Sequence, residues 1–113
     1  MKLARRAGSA TGRYGIVAMR ESFHGRTIAT VTATGQEKYQ RGFGPLLPGI
    51  THVPFGDIGA LSRAVSDTTC AVMLEPIQGE GGINVAPADY FAAVRDLCDR
   101  RGLLLIMDEV QTG

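Results

Sequence analysis

The sequence predicts an α/β fold, a mostly parallel sheet with flanking helices. Three observations carry that reading. Cys70–Leu74 (CAVML) and Leu103–Met107 (LLLIM) are continuous apolar runs, whereas a strand with one wet face would alternate. Between them Tyr90, Phe91, Val94, Leu97 and Cys98 recur at helical spacing. Strand, loop, helix, strand is the right-handed crossover unit of a doubly wound sheet.

The elements follow in order. Met1–Ala7 (MKLARRA) reads as the closing turns of a helix, with Gly8 beyond its end and cations near its C-terminus. Ile16–Met19 is a short buried strand. Glu21–Thr27 (ESFHGRT) is a polar turn around Phe23 and Gly25, and Thr27–Thr34 opens a short helix against the bias of its β-branched residues. Gln36–Gly49 is loop-like, carrying Gly42, Gly44, Pro45, Pro48 and Gly49, and Ile50–Pro54 is extended. Asp57 caps a helix that runs through Val65, with Ile58, Leu61 and Val65 on one stripe. Both CAVML and LLLIM are expected to be buried on both faces. Gln78–Gly82 (QGEGG) is a flexible loop, Pro87 sits in the first turn of the next helix, and Gly102 stops that helix after Arg100 and Arg101.

Composition bounds the function. A chain of 113 residues is one domain at most. Twelve basic residues against eleven acidic give a net charge of +1, which offers no electrostatic footprint for nucleic acid or an anionic membrane. No apolar run approaches the roughly 18 residues of a spanning helix. Cys70 and Cys98 read as reduced core thiols, not a disulfide framework. Ten of the basic residues are arginine, and only Lys2 and Lys38 are lysine.

The chemistry concentrates at strand ends. In open parallel sheets ligands bind outside the carboxyl ends of the strands. CAVML ends in Glu75, and LLLIM ends in Asp108 and Glu109. A carboxylate at the mouth of a buried strand needs a cationic or hydrogen-bonding partner. Asp108 and Val110, two apart in extended chain, would project to one side. With Gln111 they could meet a protonated pyridine ring, the carboxylate on its N–H and Val110 on its face. In Phe23-His24-Gly25-Arg26, Arg26 offers a planar fork for a carboxylate and Phe23 a face for stacking. LLLIMDE also has the form of a Walker B strand, but the phosphate loop G-x-x-x-x-G-K-[ST] is absent. His24 and His52 lack metal-ligand spacing with the cysteines.

SFHGRT (Ser22–Thr27), TATGQEKYQ (Thr32–Gln40), HVPF (His52–Phe55), EPIQGEGG (Glu75–Gly82) and DEVQTG (Asp108–Gly113) occur in that order. Together they resemble the class III pyridoxal-phosphate aminotransferases, most of all the acetylornithine/succinylornithine group, over essentially the whole chain. FHGRT and EPIQGEGG are shared with ornithine and 4-aminobutyrate aminotransferases. The resemblance implies that residues 1–113 are part of the large cofactor-binding domain of a fold type I transferase. It implies pyridoxal 5'-phosphate as cofactor, with Asp108 on the pyridine nitrogen, Phe23 and Val110 sandwiching the ring, and Gln111 near its phenolic oxygen. Glu109 is grouped with the cofactor residues as a structural partner of the strand end. Arg26 would grip the α-carboxylate of an acylated ornithine, and Glu80 would pair with a downstream arginine to gate the accepted carboxylate.

The implied reaction moves the δ-amino group of N2-acetylornithine to 2-oxoglutarate, in the arginine biosynthesis of a cytoplasmic homodimer. The lysine that attaches the cofactor in the family lies beyond DEVQTG, and Lys2 and Lys38 do not match it. The chain is therefore expected to be an internal fragment, inactive alone. The alternatives are an ornithine or 4-aminobutyrate aminotransferase, or a non-catalytic remnant.

Overall fold

A computed structural model describes residues 1–113. In chain order the elements are α1 (Lys2–Gly8), β1 (Gly15–Met19), α2 (Ile28–Ala33), α3 (Glu37–Gln40), β2 (Ile50–Val53), α4 (Ile58–Ala64), β3 (Thr69–Leu74), β4 (Ile77–Gln78), β5 (Asn84–Val85), α5 (Tyr90–Arg101) and β6 (Leu104–Met107). Four strands form one sheet in the order β2-β1-β3-β6, and every pairing in it is parallel. β4 and β5 form a separate antiparallel pair.

The alternation of side chains along β1 and β3 divides the core in two. Val17, Met19, Val72 and Leu74 pack with Leu61 and Val65 and with Tyr90, Val94, Leu97 and Cys98. Ile16, Ala71 and Met73 pack with Ala4 and Ala33. Helices therefore cover both faces of the sheet, and β3 is buried along its whole length, as its unbroken apolar run predicts. Each large aliphatic side chain sealed in this way contributes about 1.5–3 kcal/mol.

Local signals set the helix ends. Thr27 caps α2 in a reciprocal box with Thr30, which overcomes the weak propensity of a β-branched segment. Asp57 Oδ1 accepts from the Ala60 N–H at 2.9 Å. Gly102 closes α5, where the Leu103 N–H reaches the Cys98 carbonyl at 2.8 Å.

Several expectations are corrected. Gly8 is the last residue of α1, not a stop beyond it. A Cβ there would collide with the Arg13 carbonyl, so the glycine serves a close approach of two backbone segments. The Gln36–Gly49 loop holds the single turn α3. The QGEGG segment is not a free loop, because it begins in β4, and Gln78 is only 1% exposed. Gln78 Nε2 donates to the Arg20 carbonyl at 2.8 Å, and its Oε1 accepts from Asn84 Nδ2 at 2.9 Å. α5 starts at Tyr90, whose N–H donates to the Pro87 carbonyl in a turn that precedes the helix. Ile58 does not share the burial of Leu61 and Val65. β6 is not buried on both faces: Leu104 is 44% and Met107 37% exposed. It stands outermost with one neighbour, and apolar composition alone does not tell an outer strand from a central one.

No helix is long and apolar enough to cross a membrane. From β1 the chain runs first to one side of the sheet, to β2, and then to the other, to β3 and β6. The carboxyl ends of β1 and β3 therefore flank a topological switch point, where open α/β sheets leave a crevice.

Candidate cofactor site

A cavity of about 210 Å³ opens at these strand ends, lined by Phe23, His24, Gly25, Glu75, Glu80, Asp108, Val110 and Gln111. Three separate stretches of sequence meet there, after β1, after β3 and after β6.

The segment after β1 is held by hydrogen bonds along its length. Glu21 takes a left-handed φ of 61°. Gly81 lies so close to the Glu21 carbonyl that a Cβ would overlap it, which couples the GEGG loop to this bend. Ser22 is fully buried, with its Oγ accepting from the Gly35 N–H at 3.0 Å and its carbonyl from Gln36 Nε2 at 3.0 Å. The Phe23 N–H donates to Glu75 Oε1 at 3.0 Å. The His24 N–H donates to Thr34 Oγ1 at 2.9 Å. The Phe23 ring packs edge-on against Tyr39, their centroids 5.2 Å apart.

Asp108 follows β6. Its N–H donates to the Leu74 carbonyl at 2.8 Å, which extends the β3–β6 ladder by one bond. Its Oδ2 lies 2.8 Å from His24 Nδ1, and its Oδ1 accepts from the Val110 N–H at 3.2 Å. That last bond bends the chain, so Asp108 and Val110 do not share a side of an extended strand as the spacing suggested. Val110 reaches the cavity wall from a turn and is 85% exposed.

The residues singled out in the sequence fall into two groups. Phe23, Asp108, Val110, Gln111 and Glu80 come together in the cavity. Arg26 and Glu109 do not line it. Glu109 is exposed, with its carbonyl accepting from the Gly113 N–H. Arg26 lies over Tyr39 and Phe23, 5.2 Å and 5.7 Å from their ring centroids. It lines a neighbouring apolar pocket of about 190 Å³ with Ile28, Val31, Tyr39 and Phe43. Both lysines stand elsewhere. Lys38 borders a polar cleft with Arg20, Glu21 and His52, and Lys2 is an exposed residue of α1.

Two participants had no role in the sequence reading. His24 carries no metal spacing, and its partner is 84 residues away. Tyr39 links the Phe23 ring to the Arg26 guanidinium. The only signal in the sequence was their place inside the matched segments FHGRT and QEKYQ. Beside them His52 Nε2 lies 2.9 Å from the Ala33 carbonyl. Burial lowers the His52 pKa from its usual value, against the upward pull of the Ala33 hydrogen bond, and the nearby Arg20 charge lowers it further.

The donor set suits a cationic aromatic ring: a carboxylate for a ring N–H, a phenyl face and a neutral amide. The described groups hold nothing comparable for a metal.

Comparisons with known proteins agree with this chemistry. The family description "Aminotransferase class-III" matches residues 1–113. An acetylornithine aminotransferase of Myxococcus xanthus is 53% identical over 116 residues, covering all of this chain and 29% of that protein. The ornithine aminotransferase of Toxoplasma gondii superposes with a TM-score of 0.93 at 34% identity, over 99% of this chain and 28% of that one. An amine transaminase from an uncultivated Pseudomonas species, solved in its PLP-bound form, superposes with a TM-score of 0.87 at 32% identity, over 99% of this chain and 31% of that one. The chain thus spans under a third of the length of these relatives.

Proposed function

We propose, for a chain that belongs to the class-III aminotransferases, that its site serves the transfer of the δ-amino group of N2-acetylornithine to 2-oxoglutarate. Pyridoxal phosphate is the cofactor of this family, and when bound it supplies an electron sink for the carbanion of transamination. The observation that carries the reading is the Asp108 carboxylate, held at a strand end in one cavity with Phe23 and Gln111. The amino donor rests on likeness to acetylornithine aminotransferases.

In this reading each residue has a physical task. Asp108 accepts the ring N–H in a charge-assisted hydrogen bond, which keeps the nitrogen protonated. Phe23 covers one ring face and Val110 the other, while Gln111 meets the phenolic oxygen. Arg26 pairs with the substrate α-carboxylate from the adjoining pocket, its fork held by the two aromatic rings beneath it. Glu80, at the rim, gates which carboxylate is accepted. Glu109 supports the turn after β6. The active protein is a cytoplasmic homodimer of arginine biosynthesis, with this chain as part of its cofactor domain. Neither Lys2 nor Lys38 lines the cavity, which supports the reading that the 113 residues alone do not turn over, for want of an amine placed for covalent attachment.

The test is an NMR titration of the labelled chain with pyridoxal phosphate, then with N2-acetylornithine, ornithine and 4-aminobutyrate. The expected result is a response at Asp108 and Phe23 to the cofactor, and the largest Arg26 response to N2-acetylornithine. A larger Arg26 response to ornithine or 4-aminobutyrate would overturn the donor assignment. Steady turnover by the chain with N2-acetylornithine and 2-oxoglutarate would overturn its inactivity.

A further inference from the structure

Glu75 follows β3 and is the only buried acidic residue of the chain, 3% exposed. Its Oε1 accepts from the Phe23 N–H at 3.0 Å. Its Oε2 has no hydrogen-bond partner, and no lysine, arginine or histidine pairs with the carboxylate. Yet Oε2 is not sealed in, since the only sealed side-chain nitrogen or oxygen without a partner is His24 Nε2. Glu75 lines the cavity at the strand ends, and its second oxygen opens there. A carboxylate at this depth with a single N–H partner is costly until a cation or a further donor reaches it.

The charge of the cavity points the same way. Its lining holds three carboxylates, Glu75, Glu80 and Asp108, and neither lysine nor arginine. Such a lining favours a cationic ligand over an anionic one. The three acids are not equivalent. Asp108 serves the ring N–H in the cofactor reading. Glu80 is exposed, where water and salt screen its charge. Glu75 is buried, so an ion pair formed there is the least screened of the three. The ladder of β3 against β6 also sets Glu75 beside Asp108: Leu74 stands opposite Met107, and the Asp108 N–H continues the pairing to the Leu74 carbonyl. A ligand that meets both carboxylates needs positive charge at two places. The protonated ring nitrogen is one. In pyridoxamine phosphate, the aminated form of the cofactor, an ammonium on the opposite side of the ring is the other.

We propose that Glu75 is a binding residue for the amino group of the aminated cofactor: Oε2 accepts an N–H of the ammonium while Oε1 keeps the Phe23 N–H. The buried carboxylate thereby distinguishes the form of the cofactor that carries the amino group from a form with a neutral substituent in its place. The proposal rests on the cofactor reading above and adds to it the one carboxylate of the cavity that has no part there.

Calorimetric titration of the 113-residue chain with two probes tests it. Pyridoxamine 5'-phosphate carries the ammonium. 4'-Deoxypyridoxine 5'-phosphate has a methyl group in its place and keeps the ring nitrogen, the phenol and the phosphate. The aminated probe should bind about tenfold more tightly, the scale of one charge-assisted hydrogen bond. Glu75→Gln retains an acceptor for the Phe23 N–H but turns an NH₂ towards the cavity, and it should bring the two affinities together. Equal affinities in the unsubstituted chain, or a preference that survives Glu75→Gln intact, would overturn the role of Glu75 and leave the cofactor reading standing. If Glu75→Gln fails to fold by circular dichroism, the ¹³C resonance of the Glu75 carboxyl in the unsubstituted chain decides. It should move with pyridoxamine phosphate and not with the deoxy probe, and the same response to both would overturn the role. Binding of neither probe would overturn the cofactor reading, and this role with it.

Discussion

The Phe23 backbone N–H donates to the buried carboxylate of Glu75 at 3.0 Å, across 52 residues of sequence. One hydrogen bond ties the segment after β1 to the end of β3, and both flank the crevice where the sheet order reverses. Glu75→Ala should destabilise the chain by about 1–3 kcal/mol, because it leaves a partly buried N–H without its acceptor. Glu75→Gln keeps an acceptor oxygen and should cost less. Urea unfolding of the two variants measures the difference, and equal losses would show that the bond contributes nothing.

The lowered pKa of His52 makes stability depend on pH. Its folded value lies below the unfolded value of about 6.5, so at intermediate pH the unfolded chain binds more protons. The contribution of neutral His52 is therefore complete above the unfolded value and declines as pH falls below it towards the folded one. His52→Gln should flatten this part of the profile. Denaturant midpoints at a series of pH values across the mildly acidic range test it, and an unchanged slope would assign the dependence to other groups.

Both cysteines are buried, and burial raises both thiol pKa values, against the nearby Arg5 for Cys70 and Arg95 for Cys98. Neither should react with iodoacetamide at mildly alkaline pH while the chain is folded, and both should react in urea. Mass spectrometry of the alkylated chain counts the labels. Rapid labelling of either thiol in native buffer would contradict the packing of β3 or α5.

Gly81→Ala should be more damaging than its exposed neighbour Gly82→Ala is through contact, since the new Cβ meets the Glu21 carbonyl in the first case and lies 3.9 Å from the Asn84 side chain in the second. The loop must then lift from the bend at Glu21, which carries Glu80 away from the cavity. Gly82 has a φ of 105°, so its substitution carries a backbone cost of its own. The discriminating measurement is pyridoxal phosphate affinity beside the melting temperature: Gly81→Ala should lower the affinity more for a given loss of stability.

What the sequence made legible was what short-range chemistry determines. The apolar run of β3, the helical spacing of α5, the Asp57 cap and the Gly102 stop are each decided within a few residues, and each stands as expected. The pairing of His24 with Asp108 is not of that kind. Nothing near His24 names a partner 84 residues away, since strand order alone brings them together. Gln78 looked like loop because its neighbours are glycines, yet those glycines let the backbone come close enough to bury it. Arg26 and Asp108 were expected around one ligand. The fold places them in adjoining pockets, because the guanidinium lies over Tyr39, which α3 supplies and the loop reading of that segment did not foresee. The resemblance of the motifs identified the family; their three-dimensional grouping required the sheet.

The alignment of β6 against β3 also works as a gauge. Ala71 stands opposite Leu104 and Leu74 opposite Met107, and the next backbone bond, from Asp108 to Leu74, continues the same ladder. A slip of one residue would turn every side chain of β6 to the opposite face and carry Asp108 away from the imidazole. Formation of the carboxylate–imidazole contact therefore certifies that two strands have docked in correct alignment, and a spectroscopic probe at His24 would serve as an assembly sensor for the far edge of the sheet.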